Sequence, residues 1–309
     1  MPNPEVVVPA EKIRQGTLPN EEIDELVAAM RTGEAWQAAL SRLQLPELQR
    51  KPYWFSDLNK ARFYHQLPVA GHRDALDIGA GSGVISAGLS PHFDRVTSLE
   101  HNQTWSEFMR LRFAQDKLAN ITVVHGSALP LPFADESFDL IVVNGVLEWI
   151  PEAAPASQTP REAQVGFLQD VRRKLRPGGM VGVAIENRLC LENFRGASPH
   201  GEPPYVAIMP RSMAEWRTRK LTGRSYRTWI YGPAGYRGLF RDAGFVGLEI
   251  QPVLPSYHQP SEVVDLSEGP RIRKYFNPDS FLKRMVLDAA SATGMVGSLV
   301  HSFYLTARK

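Results

Sequence analysis

The chain is poor in cysteine: Cys190 is the only one in 309 residues. An internal disulfide is therefore excluded, as is any zinc cluster built on cysteine pairs. No stretch approaches the roughly 18 consecutive apolar residues of a membrane-spanning helix. The first residues, Met1-Pro2-Asn3-Pro4-Glu5, lack the basic segment and apolar run of a secretory leader, so the expectation is a cytoplasmic protein. Charge of one sign is scarce as well. Lys and Arg number 35 against 33 Asp and Glu, a net +2 that makes no case for nucleic acid. Internal repeats and long low-complexity tracts are missing. The 43% hydrophobic and 22% charged residues are those of a globular protein. The length exceeds a minimal domain but is short for two large ones.

The informative stretch is Ala75 to Gly83. Ala75-Leu76-Asp77-Ile78 reads as a short buried strand. Gly79, Gly81 and Gly83 then supply a turn without Cβ atoms where backbone must approach a ligand. Val84 to Leu89 reads as the start of a helix whose amide N–H groups can face a polar ligand. Alone, G-x-G-x-G is a weak signal. Two acids strengthen it. Asp77 precedes the turn, and Glu100 ends the next strand, Arg95 to Leu99, 21 residues after Gly79. A carboxylate about 20 residues on, at a strand tip, suits the two hydroxyls of a ribose; the bland alternative is a solvated strand end.

Here the chain resembles the class I S-adenosylmethionine-dependent methyltransferases. Their first motif matches Leu76 to Gly83, their fourth strand resembles Phe138 to Ile150, and their L-x-P-G-G turn resembles Leu175 to Gly179. The resemblance covers about residues 70–255 and a final strand. It implies an α/β, Rossmann-like sheet of seven strands with an antiparallel last strand, an N-terminal helical cap (1–70) and inserted lid segments. The cofactor half would span 71–187, a first insertion 188–231, and the rest of the core 232–309 with a second insertion at about 256–297. The implied cofactor is S-adenosylmethionine, released as S-adenosylhomocysteine. Asp77, Gly79, Ala80, Gly81 and Gly83 would hold it, with Glu100 and His101 at the ribose. Ser127 stands where relatives often carry an adenine-binding Asp, and the Ala128 N–H can also reach the ring. Asn144 ends the fourth strand, where methyl group and acceptor meet in this fold.

Along the rest of the chain, residues 1–20 read as an extended lead-in, and Ile23, Leu26, Val27 and Met30 follow helical spacing. Tyr53, Trp54, Phe63 and Tyr64 read either as core or as walls of the site. From Arg211 to Arg241 there are seven Arg and one Lys against one acid, Glu215. This is either a solvated face or a site for an anionic acceptor, because Arg forks bind phosphate. Arg188, Arg211 and Arg227 are the candidates, with Asn187, Tyr231, Tyr257 and His258 as further acceptor contacts. The pattern from Glu186-Asn187-Arg188 through His200-Gly201 to Tyr257 resembles a bacterial methyltransferase subgroup associated with surface-polysaccharide and glycan assembly. That resemblance implies O-methylation of a sugar or phosphoglycan.

A sugar hydroxyl needs a base. His200 is the first candidate, with Glu148, Glu186 and His258 as alternatives. No His/Asp/Glu spacing indicates a metal site. Three other readings stay open: an N-methyltransferase on an amine or amino sugar, a non-catalytic cofactor-binding scaffold, and an RNA methyltransferase. RNA is the weakest of these, since no RNA-binding module is recognisable. Nothing in the sequence sets the oligomeric state.

Overall fold

A computed structural model describes residues 20–276 and 281–309. The expected lead-in falls outside them, apart from residue 20. Five helices come first: α1 (Asn20–Arg31), α2 (Trp36–Arg42), α3 (Pro46–Gln49), α4 (Tyr53–Ser56) and α5 (Asn59–His65). An alternating core follows: β1 (Asp74–Ile78), α6 (Val84–Leu89), β2 (Arg95–Glu100), α7 (Gln103–Gln115), β3 (Ile121–His125), β4 (Phe138–Asn144), α8 (Ile150–Ala153), α9 (Pro160–Lys174) and β5 (Leu175–Glu186). Next come α10 (Leu191–Phe194), α11 (Arg211–Thr222), α12 (Pro233–Asp242), β6 (Val246–Ser256), β7 (Gln259–Val263), α13 (Gly269–Arg273), α14 (Phe281–Ala292) and β8 (Ser302–Arg308).

The strands form one sheet in the order β3-β2-β1-β4-β5-β8-β6-β7. The first five are parallel, and β8 runs antiparallel between β5 and β6. The antiparallel last strand is as expected, but the sheet has eight strands, not seven. The additional one, β7, reads Gln-Pro-Ser-Glu-Val, a polar run without strand patterning. It pairs because β6 continues past Val253 and folds back on itself. β1 is buried along its whole length and β4 up to its last residue, as expected for a parallel sheet covered on both faces. Leu76, Ile141 and Val143 are fully buried and contribute about 1.5–3 kcal/mol each.

Local signals explain the helix ends. Thr159 and Glu162 form a reciprocal capping box at the start of α9, with Pro160 at its first position and Arg172, Arg173 and Lys174 in its last turn. Asn102 caps α7 by accepting from the Trp105 N–H. β2 and β4 lie on opposite sides of β1, so the chain diverges there and leaves a crevice at the C-terminal strand ends. Among the described residues no helix is long and apolar enough to cross a membrane.

Candidate active site

One continuous cavity of about 590 Å³ opens at that crevice. Its first half is built around the glycine turn, where Gly79, Gly81 and Gly83 all adopt the left-handed conformation. The three differ in what surrounds them. A Cβ on Gly79 would lie 2.5 Å from Val146 Cγ2, and one on Gly83 would strike the Phe113 ring. A Cβ on Gly81 would meet only the Gly79 carbonyl, at 4.0 Å. Gly81 lines the cavity, whereas Gly83 lies behind it as the cap of α6.

Glu100 holds the turn in place. Its carboxylate accepts from the Gly81 N–H and the Asn102 N–H, each at 2.9 Å, and His101 Nδ1 lies 3.0 Å away. Burial alone would raise its pKa. The His101 bond and charge and the two backbone N–H groups outweigh that and keep it below the ordinary carboxylate value. The Glu100 bond in turn raises His101. Ser127 makes a local turn, accepting from the Leu129 N–H and donating to the Leu129 carbonyl. Ser127, Ala128 and Asn144 all line the cavity, as do Ala80 and His101.

Asp77 is 1% exposed and accepts from the Ser86 hydroxyl at 2.7 Å. Burial pushes its pKa from 3.8 to about 6, against the Ser86 hydrogen bonds. The folded state then holds this proton more tightly than the unfolded chain, so the wild type loses stability as pH rises from about 4 to about 6. Asp77→Asn should remove that loss. The variant is expected to be more stable than wild type by about 3 kcal/mol near pH 7, with the difference vanishing near pH 4. Urea unfolding at both pH values checks this; equal stability near pH 7 would contradict it.

The second half of the cavity gathers residues from distant segments. Glu148 follows β4, Glu186 ends β5, and His200 sits in a short turn at Pro199–Gly201 with φ 58°. His200 Nε2 lies 3.4 Å from Glu186 Oε1 and 3.9 Å from Glu148 Oε1. The Trp149 ring meets the imidazole edge-on at 5.0 Å. Tyr257 donates to Glu186 Oε1 at 2.9 Å and passes so close to Gly145 that a Cβ there would lie 2.8 Å from its hydroxyl. Burial, then the Glu186 charge, raises the Glu148 pKa. Burial would also raise Glu186, but the charge and hydrogen bond of His200 overcome it and hold Glu186 low. Burial lowers His200, yet the two carboxylates, Glu186 foremost, leave it raised overall. The donor atoms of Glu148, Glu186 and His200 all lie within 4.8 Å of one another, so the three could hold a metal ion that their sequence spacing does not announce.

Tyr257 and His258 line this half too, and burial drops His258 to about 4. Lys51, Lys60 and His301, which no sequence signal singles out, line the cavity as well. Lys60 is 5% exposed, and its ammonium sits 5.0 Å from the Tyr53 ring. Among the described residues no carboxylate lies within ion-pair distance of it. Burial depresses it to about 8. Of the four aromatic candidates, Tyr53 and Trp54 line the cavity. Phe63 and Tyr64 pack on Tyr304, and the Tyr64 hydroxyl donates to Asn144.

The expected arginine site is not brought to the cavity. Arg188 donates to the carbonyls of Ala207, Ile208 and Met209. Arg211 donates to the Ile230 carbonyl and lies over the Trp229 ring at 4.3 Å. Arg227 ties down the carbonyls of Pro151, Pro155 and Gln158. Tyr231 is buried and donates to Gln164. Asn187 is fully buried, its amide donating to the Ser298 and Val300 carbonyls. Arg188 and Arg211 satisfy carbonyls of the inserted segment itself, Arg227 and Asn187 tie neighbouring loops to it, and Tyr231 anchors it to the Gln164 side chain.

Residues 76–183 match a family described as a methyltransferase domain. Demethylmenaquinone methyltransferase of Staphylococcus aureus (strain JH9) is 24% identical over 203 residues, covering 62% of this chain and 76% of that protein. Phosphoethanolamine N-methyltransferase 2 of Haemonchus contortus, solved with phosphomonomethylethanolamine and S-adenosylhomocysteine, superposes with a TM-score of 0.52 at 16% identity, over 87% of this chain and 59% of that one. The same protein solved with S-adenosyl-L-methionine gives 0.51 at 17% identity, over the same shares. These two structural likenesses establish the fold.

Proposed function

We propose that this chain, which is an S-adenosylmethionine-dependent methyltransferase, methylates a hydroxyl oxygen of a sugar or phosphoglycan that carries an anionic group. One observation carries the reading: the cavity runs without interruption from the glycine turn to the buried Glu148–Glu186–His200 cluster. The first half suits the cofactor, because the Cβ-free face of Gly81 opens into it and Glu100 stands at the strand tip. Backbone of Gly79 to Gly81 would border the cofactor's amino-acid end, with Asp77 and Asn144 beside it. Glu100 and His101 would take the ribose hydroxyls, and Ser127 and Ala128 the adenine edge. The bound cofactor supplies an electrophilic methyl carbon whose bond to sulfur breaks, its electron pair staying on sulfur, as the new C–O bond forms.

The chain's own residues orient the acceptor and take its proton. Segment 188–231, which carries His200, closes the acceptor half. The hydroxyl proton passes to a carboxylate of the cluster; Glu148 Oε2, buried without a hydrogen-bond partner, is placed to take it. Lys60 and Lys51, which also line the cavity, supply the positive charge for an anionic group, the role that charge counting along the chain gave to Arg188, Arg211 and Arg227. An amine acceptor is the second reading, since two buried carboxylates also suit an ammonium.

Methyl-labelled cofactor incubated with the enzyme and a cell extract tests the proposal. Label recovered as an O-methyl sugar, or in a phosphosugar fraction, is the expected result. Label only on nitrogen, on a ring carbon or in RNA would sink it. With the active fraction in hand, Lys60→Met should raise the acceptor KM by about 10–100-fold, the range for losing a charged hydrogen bond. Its S-adenosylhomocysteine affinity should stay within about 3-fold of wild type. A loss confined to cofactor affinity would assign Lys60 to the cofactor instead.

A further inference from the structure

We infer that Glu148, Glu186 and His200 form a binding site for a divalent first-row transition-metal ion, of the Mn²⁺ or Zn²⁺ kind, at the acceptor end of the cavity. This deepens the function proposed above and rests on it only for its catalytic consequence. The geometry fits. An ion bonded to oxygen and nitrogen at about 2.0–2.2 Å places its ligands about 3.0 Å apart when adjacent and about 4.3 Å apart when opposed. The imidazole nitrogen stands 3.4 and 3.9 Å from the two carboxylates, inside that interval. All three donors fall within 4.8 Å of one another.

A second observation points to the same ligand. Glu148 is 1% exposed, and its Oε2 has no hydrogen-bond partner; the Oε2 of the partly buried Glu186 also lacks one. The single imidazole offsets one of the two buried carboxylates, and a proton or a cation must offset the other. Lys60 and Lys51 border the cavity but make no ion pair with either acid. The neighbours around the cluster behave as supports for ligands: Tyr257 donates to Glu186, and Trp149 packs edge-on against the imidazole. Two oxygens and one nitrogen favour a transition ion over Ca²⁺, which takes six or more oxygens.

Three protein ligands leave coordination positions for the acceptor. A hydroxyl bound there is acidified by the ion. Its proton passes to the Glu148 oxygen that does not ligate, and the oxygen lone pair then forms the bond to the methyl carbon as the carbon–sulfur bond breaks toward sulfur. The cluster thus stabilises the alkoxide while Glu148 keeps its role as proton acceptor.

The test is titration of Mn²⁺ into the full chain saturated with S-adenosylhomocysteine, followed by electron paramagnetic resonance. The expected result is one Mn²⁺ per chain, with ¹⁴N modulation from one imidazole. Glu148→Gln and Glu186→Gln should each weaken binding by more than about 100-fold, beyond the loss typical of an outer-shell partner. Their cofactor affinity should persist, which verifies folding. Glu107→Gln, at a surface acid paired with Arg31, should leave Mn²⁺ binding unchanged. Absence of saturable binding, absence of the nitrogen signal, or binding indifferent to both cluster variants would overturn the inference. None of these readouts needs the acceptor, so a wrong acceptor and a wrong metal site fail separately.

Discussion

Gly81→Val is expected to abolish measurable cofactor binding while the chain still folds. The three glycines of the turn share a left-handed backbone, yet only Gly81 faces open space: its added Cβ meets nothing nearer than a carbonyl at 4.0 Å. The valine side chain therefore enters the part of the cavity proposed to hold the cofactor. Its φ of 52° adds about 1–2 kcal/mol of backbone strain, which a chain of this size tolerates. S-adenosylhomocysteine affinity should fall more than about 100-fold by calorimetry, with a cooperative melt retained. The same substitution at Gly79 or Gly83 drives into Val146 or Phe113, so those variants should fail at folding. Wild-type affinity in Gly81→Val would mean that the cofactor does not lie over this turn.

His200→Asn should lower kcat by about 10²–10⁴-fold, the range for disabling general-base catalysis, because the imidazole holds and charge-balances the carboxylates that take the proton, and leave cofactor affinity within about 3-fold. Asparagine is chosen because it tolerates the left-handed backbone that His200 adopts better than most residues do. The imidazole alone is then tested. It bridges the Glu148 and Glu186 carboxylates, and its removal leaves two buried acids facing each other in the acceptor half, away from the glycine turn. A purely structural histidine would instead lower the melting temperature and spare turnover per folded enzyme. Normal kcat would remove His200 from the chemistry.

Several errors of sequence reading share one cause. Seven arginines in one segment read as an anion site because a linear charge count cannot see backbone carbonyls. Once folded, Arg188 and Arg211 point at carbonyls of the irregular inserted segment, and Arg227 at carbonyls of α8 and the loop before α9. Tyr231 donates to the Gln164 side chain and Asn187 to the Ser298 and Val300 carbonyls. β7 was missed because its five residues carry no alternation; its pairing comes from the length of β6. Lys60 was invisible because nothing in its local sequence marks it as buried.

The cofactor half was legible because its residues are neighbours along the chain. A strand, a glycine turn, a helix start and an acid at the next strand tip all fall between Ala75 and Glu100, and their spacing reflects the local geometry in which the Glu100 carboxylate meets the Gly81 N–H. The alternating strands and helices behind it follow from periodicity in the same way. The acceptor half had no such signature. Glu148, Glu186 and His200 come from a loop, a strand end and an insertion, and they meet only because the parallel sheet sets β4 beside β5 and the segment after β5 folds back over both. Residue types alone name candidates for that chemistry. Their separation in space, and with it their capacity to share protons or hold an ion, is a property of the packed sheet.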